Sequence, residues 1–181
     1  MTRALYVGPW RIDVTVRDEV ETLVSVAALA RAIAAAAEAG GAPGPASIGL
    51  ILSGDPELAE LNATHLGVSG PTDVLSFPLL SPGAFPSHRG GPERAPGTAA
   101  AFPLPPRRRP HLGDIVISVE RAVEQAETGR GGQTGELRWS LADELRLLAT
   151  HGTLHLCGWD HAEAVEEAAM RALEADLLAR G

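Results

Sequence analysis

Apolar and polar positions along the chain change period several times, and each change predicts an element. Residues 4–16 end in alternation at Ile12, Val14 and Val16 and predict one β-strand. Asp18 followed by Glu21 has the spacing of a capping box, which predicts a helix opening there and running to about Ala39 before Gly40-Gly41. The compact apolar run ASIGLILS (46–53) predicts a buried strand. Asp55-Pro56 then reads as an N-cap with proline in the first helical position, opening a helix of about three turns that closes near Gly67. A short strand follows at about 73–77, and LGDIVISV (112–119) predicts another buried one. Ser118 is placed to cap a helix ending at about Thr128, before the Gly-rich turn GRGGQTG. Leu137, Leu141, Leu145 and Leu148 form one face of a helix over about 136–157. A last helix over about 162–179 is expected to face Val165, Ala169, Ala172 and Leu173 inward. Strands and helices mix irregularly, so the expected class is α+β around one small, mainly apolar sheet.

Residues 81–110 break this pattern. They are dense in Pro and Gly and carry no apolar periodicity, which predicts a flexible loop of about thirty residues inserted into one domain spanning 1–181. Arg107-Arg108-Arg109 within it reads as a solvated charge run or a phosphate contact.

Composition narrows the class without choosing a function. The chain has 181 residues, 45% hydrophobic and 21% charged, which suits one globular domain. One cysteine excludes an intramolecular disulfide framework and fits a reducing compartment. No run approaches the roughly 18 apolar residues of a membrane span, and the first residues, MTRALYVGPW, lack the pattern of a secretory signal, so the expected location is cytoplasmic. The net charge of −8 argues against a protein that coats nucleic acid non-specifically and leaves room only for a local basic cleft.

The chemistry is concentrated in HGTLHLCGWDH, residues 151–161. His151 and His155 at i, i+4 share a helix face, with Cβ atoms roughly 6 Å apart. Two imidazoles there can reach one metal ion at ~2.0–2.1 Å. Gly158 can adopt positive φ and let the chain leave the helix, bringing His161 back as a third nitrogen. Three protein ligands leave a fourth position open, the pattern of a catalytic rather than a structural zinc site. Such an ion lowers the pKa of water from 15.7 towards about 7 and polarises a phosphoryl or carbonyl oxygen, which points to hydrolysis of an ester-like bond. Cys157 reads as a small buried hydrophobe and Trp159 as packing. Asp160 with Glu163 has capping-box spacing for the last helix, and Asp160 is also a candidate to orient a ligand or move a proton.

HGTLHLCGWDH resembles the HGxLHLxGxDH motif of the YbeY family of bacterial rRNA-maturation endoribonucleases, with LN (61–62), PTDVLSFP (71–78) and LGDIVIS (112–118) agreeing in order and spacing. The resemblance covers about 46–179. It implies a four-stranded, mostly parallel sheet with about five helices. It implies a single-strand-specific metallo-endoribonuclease acting in 16S rRNA 3′-end maturation and ribosome quality control, with the small subunit or its assembly factors as partners. It implies one zinc ion per chain on the residues matching His151, His155 and His161. Asp73, Ser76 and Asp114 fall in matching segments as candidates to line the cleft, and Ser76 is a candidate to hydrogen-bond substrate. The chain departs from the family's LNxxYR pattern: it reads LNATHL, with His65 at the aromatic position and Leu66 at the Arg position. Leucine cannot contact phosphate, so either another cation, His65 or an inserted-loop arginine, substitutes or cleavage is weak.

Two other readings compete. The spacing HxxxHxxGxxH also resembles the metzincin motif HExxHxxGxxH, but those proteases need Glu directly after the first His, and this chain has Gly152. A zinc-containing ribosome-binding factor without cleavage is the non-enzymatic alternative, motivated by Leu66.

Overall fold

The computed structural model describes residues 2–17, 20, 25–93, 109–128 and 139–180. Alternation continues across residues 4–16, yet the chain reverses inside them. Strand β1 (Thr2–Val7) pairs antiparallel with β2 (Trp10–Val16) around Gly8-Pro9. Gly8 adopts φ 55° and Pro9 cannot extend the strand through its missing N–H, so one predicted strand becomes a hairpin. With β3 (Ala46–Ser53), β4 (Val74–Pro78) and β5 (His111–Ser118), the sheet has five strands in the order β1-β2-β3-β5-β4, not four. The pairs β2–β3 and β3–β5 are parallel; β1–β2 and β4–β5 are antiparallel. The sheet is therefore mixed, with a parallel centre and antiparallel edges.

One face of this sheet is covered by helices α1 (Val26–Ala39) and α4 (Leu141–Leu156). Ile12, Ile48, Leu50, Leu52, Ile115 and Ile117 from the strands and Ile33, Leu145 and Leu148 from the helices are fully buried there. Each such side chain contributes about 1.5–3 kcal/mol of transfer free energy. On the opposite face, α2 (Asp55–Leu66) covers a smaller cluster of Leu58, Leu75 and Val116 with Phe77 against it. Helix α3 (Val119–Thr128) follows β5, and α5 (Ala164–Arg180) packs on α4.

Helix ends follow the sequence in part. Ser118 Oγ accepts from Arg121 N–H at 3.2 Å, as a cap of α3 should. Gly67 closes α2 at φ 67°. Asp55 lies inside α2 rather than capping it; Gly54 is the cap, and Asp55 instead accepts from Ser118 Oγ at 2.6 Å and pairs with Arg121 at 3.0 Å. The first long helix starts at Val26 behind Ser25; Asp18 and Glu21 lie outside the described residues, as do Leu137 and the turn 129–135. No helix among the described residues is long and apolar enough to cross a membrane.

Of the inserted segment, residues 94–108 lie outside the described residues, Arg107 and Arg108 among them. Residues 81–93 are mostly exposed, with Phe85 buried and the His88 side chain turned inward. A 3-10 turn at Pro82–Ala84 leads into Phe85, which is buried. Arg109 donates to the Pro9 carbonyl, and its guanidinium sits 5.8 Å over the Tyr6 ring at the β1–β2 turn.

Candidate metal centre

Helix α4 is built to hold its side chains still. Ser140 and Asp143 cap it reciprocally: Ser140 Oγ accepts from Asp143 N–H at 3.2 Å, and Asp143 Oδ2 accepts from Ser140 N–H at 3.1 Å. Gly152 lets the helix approach the sheet. A Cβ there would stand 2.7 Å from Ile115 Cγ2 and 3.0 Å from Ser76 Oγ. The position that carries glutamate in the metzincin motif therefore has no room for any side chain. Ser76 Oγ donates to the Gly152 carbonyl at 3.1 Å, pinning the turn between His151 and His155 to β4.

The helix ends as the glycine predicts. Gly158 adopts φ 80°, its N–H reaches the His155 carbonyl at 2.9 Å, and Trp159 N–H reaches the Leu154 carbonyl at 3.0 Å. This turn returns His161 towards the helix. One nitrogen from each of His151, His155 and His161 lies within 4.8 Å of the others.

The donor set fits a metal ion. His151 Nδ1–H donates to Glu174 Oε1 at 2.7 Å, and His155 Nδ1–H donates to the Trp159 carbonyl at 2.8 Å. Both Nδ1 protons are thus committed, and both Nε2 lone pairs face the common point. The two Nε2 atoms are 3.0 Å apart. Two lone pairs at that distance repel unless a cation or proton lies between them. Two ligands at ~2.0–2.1 Å from one tetrahedral ion stand about 3.3 Å apart, close to the observed spacing. Burial, and then the neighbouring His151, push the His155 pKa down to about 4, so His155 is neutral at neutral pH, the form a metal requires. Zinc suits three imidazole nitrogens.

Helix α5 supplies what the sequence reading missed. Val165 is 58% exposed and Ala172 is exposed, contrary to the expected inward face. The buried stripe is Glu166, Met170 and Glu174. Two glutamates point inward because imidazoles await them: Glu174 bonds His151, and Glu166 bonds His88 at 2.5 Å. Asp160 is correspondingly different from expectation. Its backbone N–H is taken by Glu166 Oε1 at 2.9 Å rather than by Glu163, and its Oδ1 accepts from His161 N–H at 2.7 Å. The helix's own sequence pattern carries no signal of this burial, because the partners His88 and His151 lie elsewhere in the chain.

The remaining candidates are spread out. His65 packs its ring on Phe77, with centroids 5.0 Å apart, on the α2 side of the sheet, whereas α4 lies on the other side. Leu66 is 63% exposed. Asp73 accepts from Val74 N–H at 2.8 Å and Gln125 Nε2 at 3.0 Å, tying β4 to α3. Asp114 pairs with His111 at 3.1 Å. Cys157 is buried, as expected. A cavity of about 250 Å³ opens beside His151 and His161 and is also lined by Glu167, Met170, Arg171 and Glu174. A larger hollow of about 650 Å³ between α1, α4 and α5 holds none of the three histidines.

A mixed sheet presenting three converging imidazoles from one helix and its exit turn defines an α+β protein with a three-histidine cluster that could hold a metal ion. The family model described as Endoribonuclease YbeY matches residues 13–181. Endoribonuclease YbeY of Moorella thermoacetica is 42% identical over 151 residues, 83% of each chain. That of Salinispora tropica is 45% identical over 122 residues, covering 67% of this chain and 66% of its own. That of Dehalococcoides mccartyi strain 195 is 35% identical over 161 residues, 88% of this chain and 83% of its own. The chain belongs to the endoribonuclease YbeY family.

Proposed function

We propose that this chain is a single-domain, metal-dependent endoribonuclease that cleaves single-stranded RNA, with the 3′ end of 16S rRNA as its substrate. Its partners on this reading are the small ribosomal subunit or its assembly factors, in the cytoplasm. The observation that carries the proposal is the convergence of His151, His155 and His161, two of them with Nδ1 already bonded away from the common point.

His151, His155 and His161 would hold one zinc ion. When bound, it supplies Lewis acidity towards a phosphoryl oxygen and acidifies water. The chain's own groups do the rest. Glu174 and the Trp159 carbonyl keep the imidazoles in one tautomer. Asp160, exposed beside His161, is the carboxylate placed to accept a proton. Ser76 acts by positioning, its proton donated to the Gly152 carbonyl rather than to substrate. Arg171 lines the same cavity as His151 and His161, paired with Glu167 at 2.6 Å, and is the guanidinium placed to meet a phosphate in the absence of arginine at 66. His65, on the α2 side, would meet the strand beyond the cleft.

The test is cleavage of a labelled single-stranded RNA carrying a 16S 3′-end sequence by wild type, wild type with chelator, and His155→Ala. Cleavage lost in both controls supports the proposal. A folded, zinc-loaded wild type that binds this RNA without cutting it would replace the proposal with the binding-factor reading, which the exposed Leu66 favours.

A further inference from the structure

Residues 85–91 of the inserted segment dock against the end of α1, the start of α5 and Trp159 in the turn that carries His161. Phe85 is buried at 4% exposure. Pro86 seats on Gly41, where a Cβ would come within 2.4 Å of its ring. Gly90, at φ 83°, lies so close to the start of α5 that a Cβ would stand 2.4 Å from the Glu166 backbone nitrogen. Between these contacts the His88 side chain is only 8% exposed. Its ring stacks on Trp159 with centroids 3.9 Å apart and planes 13° from parallel. Its Nε2–H donates to Glu166 Oε1 at 2.5 Å, while Nδ1 is buried with no hydrogen-bond partner among the described residues.

Both contacts fall on the turn that completes the metal centre. The Glu166 oxygen that accepts from His88 also accepts from Asp160 N–H at 2.9 Å, one residue before His161. The Trp159 that stacks on His88 offers its carbonyl to His155 Nδ1. Burying an imidazole nitrogen without a partner is unfavourable, because its desolvation is not offset by a hydrogen bond. A loop that serves only as a connection has no reason to retain it.

We propose that His88 is a positioning residue of the metal centre: by stacking on Trp159 and bonding Glu166, it fixes the 159–161 turn so that His155 and His161 are presented together. The inserted segment is then a part of the site rather than an appendage of the domain. The inference rests on reading the three histidines as metal ligands, and not on the RNA substrate. Outer groups that orient ligands typically contribute roughly 10–100-fold in metal affinity. His88 acts one bond further out, so about tenfold is expected.

The test uses the full chain, stripped of metal and titrated with zinc against a chromophoric chelator, and separately loaded with cobalt to record its ligand-field absorption. His88→Ala should weaken zinc about tenfold and shift the cobalt bands. His88→Gln, whose Nε2 can reach the same carboxylate, should recover most of both. His88→Ala with unchanged affinity and cobalt spectrum would overturn the proposal. So would equal weakening by Ala and Gln accompanied by the same fall in Tm, which marks packing alone. A wild type that binds zinc with normal affinity but leaves RNA intact would count against the nuclease reading and leave these readouts fully decisive for His88. A folded wild type that binds neither zinc nor cobalt would overturn this proposal together with the metal reading.

Discussion

Glu174 offers the sharpest test of how the centre is held. The residue is buried at 9% exposure, and one oxygen accepts the His151 Nδ1 proton at 2.7 Å. Replacing it with alanine removes the acceptor, frees the ring to rotate about χ2, and leaves a buried N–H without a partner. A hydrogen bond to a charged group is worth about 1.5–3 kcal/mol. Loss of a carboxylate behind a metal-binding histidine costs roughly 10–100-fold in affinity, or about 1.4–2.7 kcal/mol. The two figures agree, so Glu174→Ala should weaken zinc by that factor. Glu174→Gln keeps an acceptor oxygen in place and removes only the charge, and should fall between alanine and wild type. Chelator competition at fixed pH and ionic strength gives the dissociation constants directly. Thermal unfolding gives a second reading, because zinc stabilises the folded state by RT ln(1 + [Zn]/Kd), and each tenfold loss of affinity removes about 1.4 kcal/mol of that gain at saturation. A folded Glu174→Ala protein that binds zinc within twofold of wild type would refute the argument.

Further expectations follow from other parts of the structure. Gly152→Ala should destabilise the protein by about 1–3 kcal/mol in denaturant titration, because its Cβ meets Ile115 at 2.7 Å across a packed helix–sheet interface. Arg171→Ala should raise KM for RNA several-fold while leaving zinc affinity unchanged; an unaltered KM would remove Arg171 from the substrate path. Arg17 and Ser53 hydrogen bonds hold the Glu57 carboxyl below its ordinary 4.5. Its contribution is therefore complete above pH 4.5 and is lost as pH falls through the lowered value, so Glu57→Gln should cost about 1 kcal/mol at pH 7 and progressively less below pH 4.5. With a net charge of −8, RNA affinity should show a shallow salt slope, and a slope equivalent to ten or so phosphates would contradict a local contact.

The convergence of the three histidines was legible because its geometry is local. Two histidines one helical turn apart, a glycine exit and a third histidine specify most of their own arrangement through helix geometry alone. The central strands were legible for a related reason: β3 is a near-continuous apolar run and β5 is one from Ile115 to Ile117, as buried parallel strands tend to be. The first strand was misread because alternation continues across the reversal at Gly8-Pro9, and period alone does not register a turn. Helix α5 was misread because apolar periodicity assumes that apolar residues are the ones buried. Glu166 and Glu174 are buried for the sake of histidines contributed by residues 88 and 151, and no pattern within the helix contains that information. The inserted segment hid His88 in the same way, since proline and glycine content reports backbone preference and not what a single ring stacks upon.

The three histidines are unequally anchored, and on the proposed metal reading this inequality bears on how an ion would enter and leave. His151 and His155 stand half-buried on a capped helix held to the sheet at Gly152, whereas His161 is exposed on the turn beyond it. An ion would be held first by the two anchored imidazoles, with His161 supplying the third nitrogen from the turn. On the proposed metal reading, an ion would depend on the 158–163 turn for its third ligand, so contacts that steady this turn would slow its release more than they alter its capture.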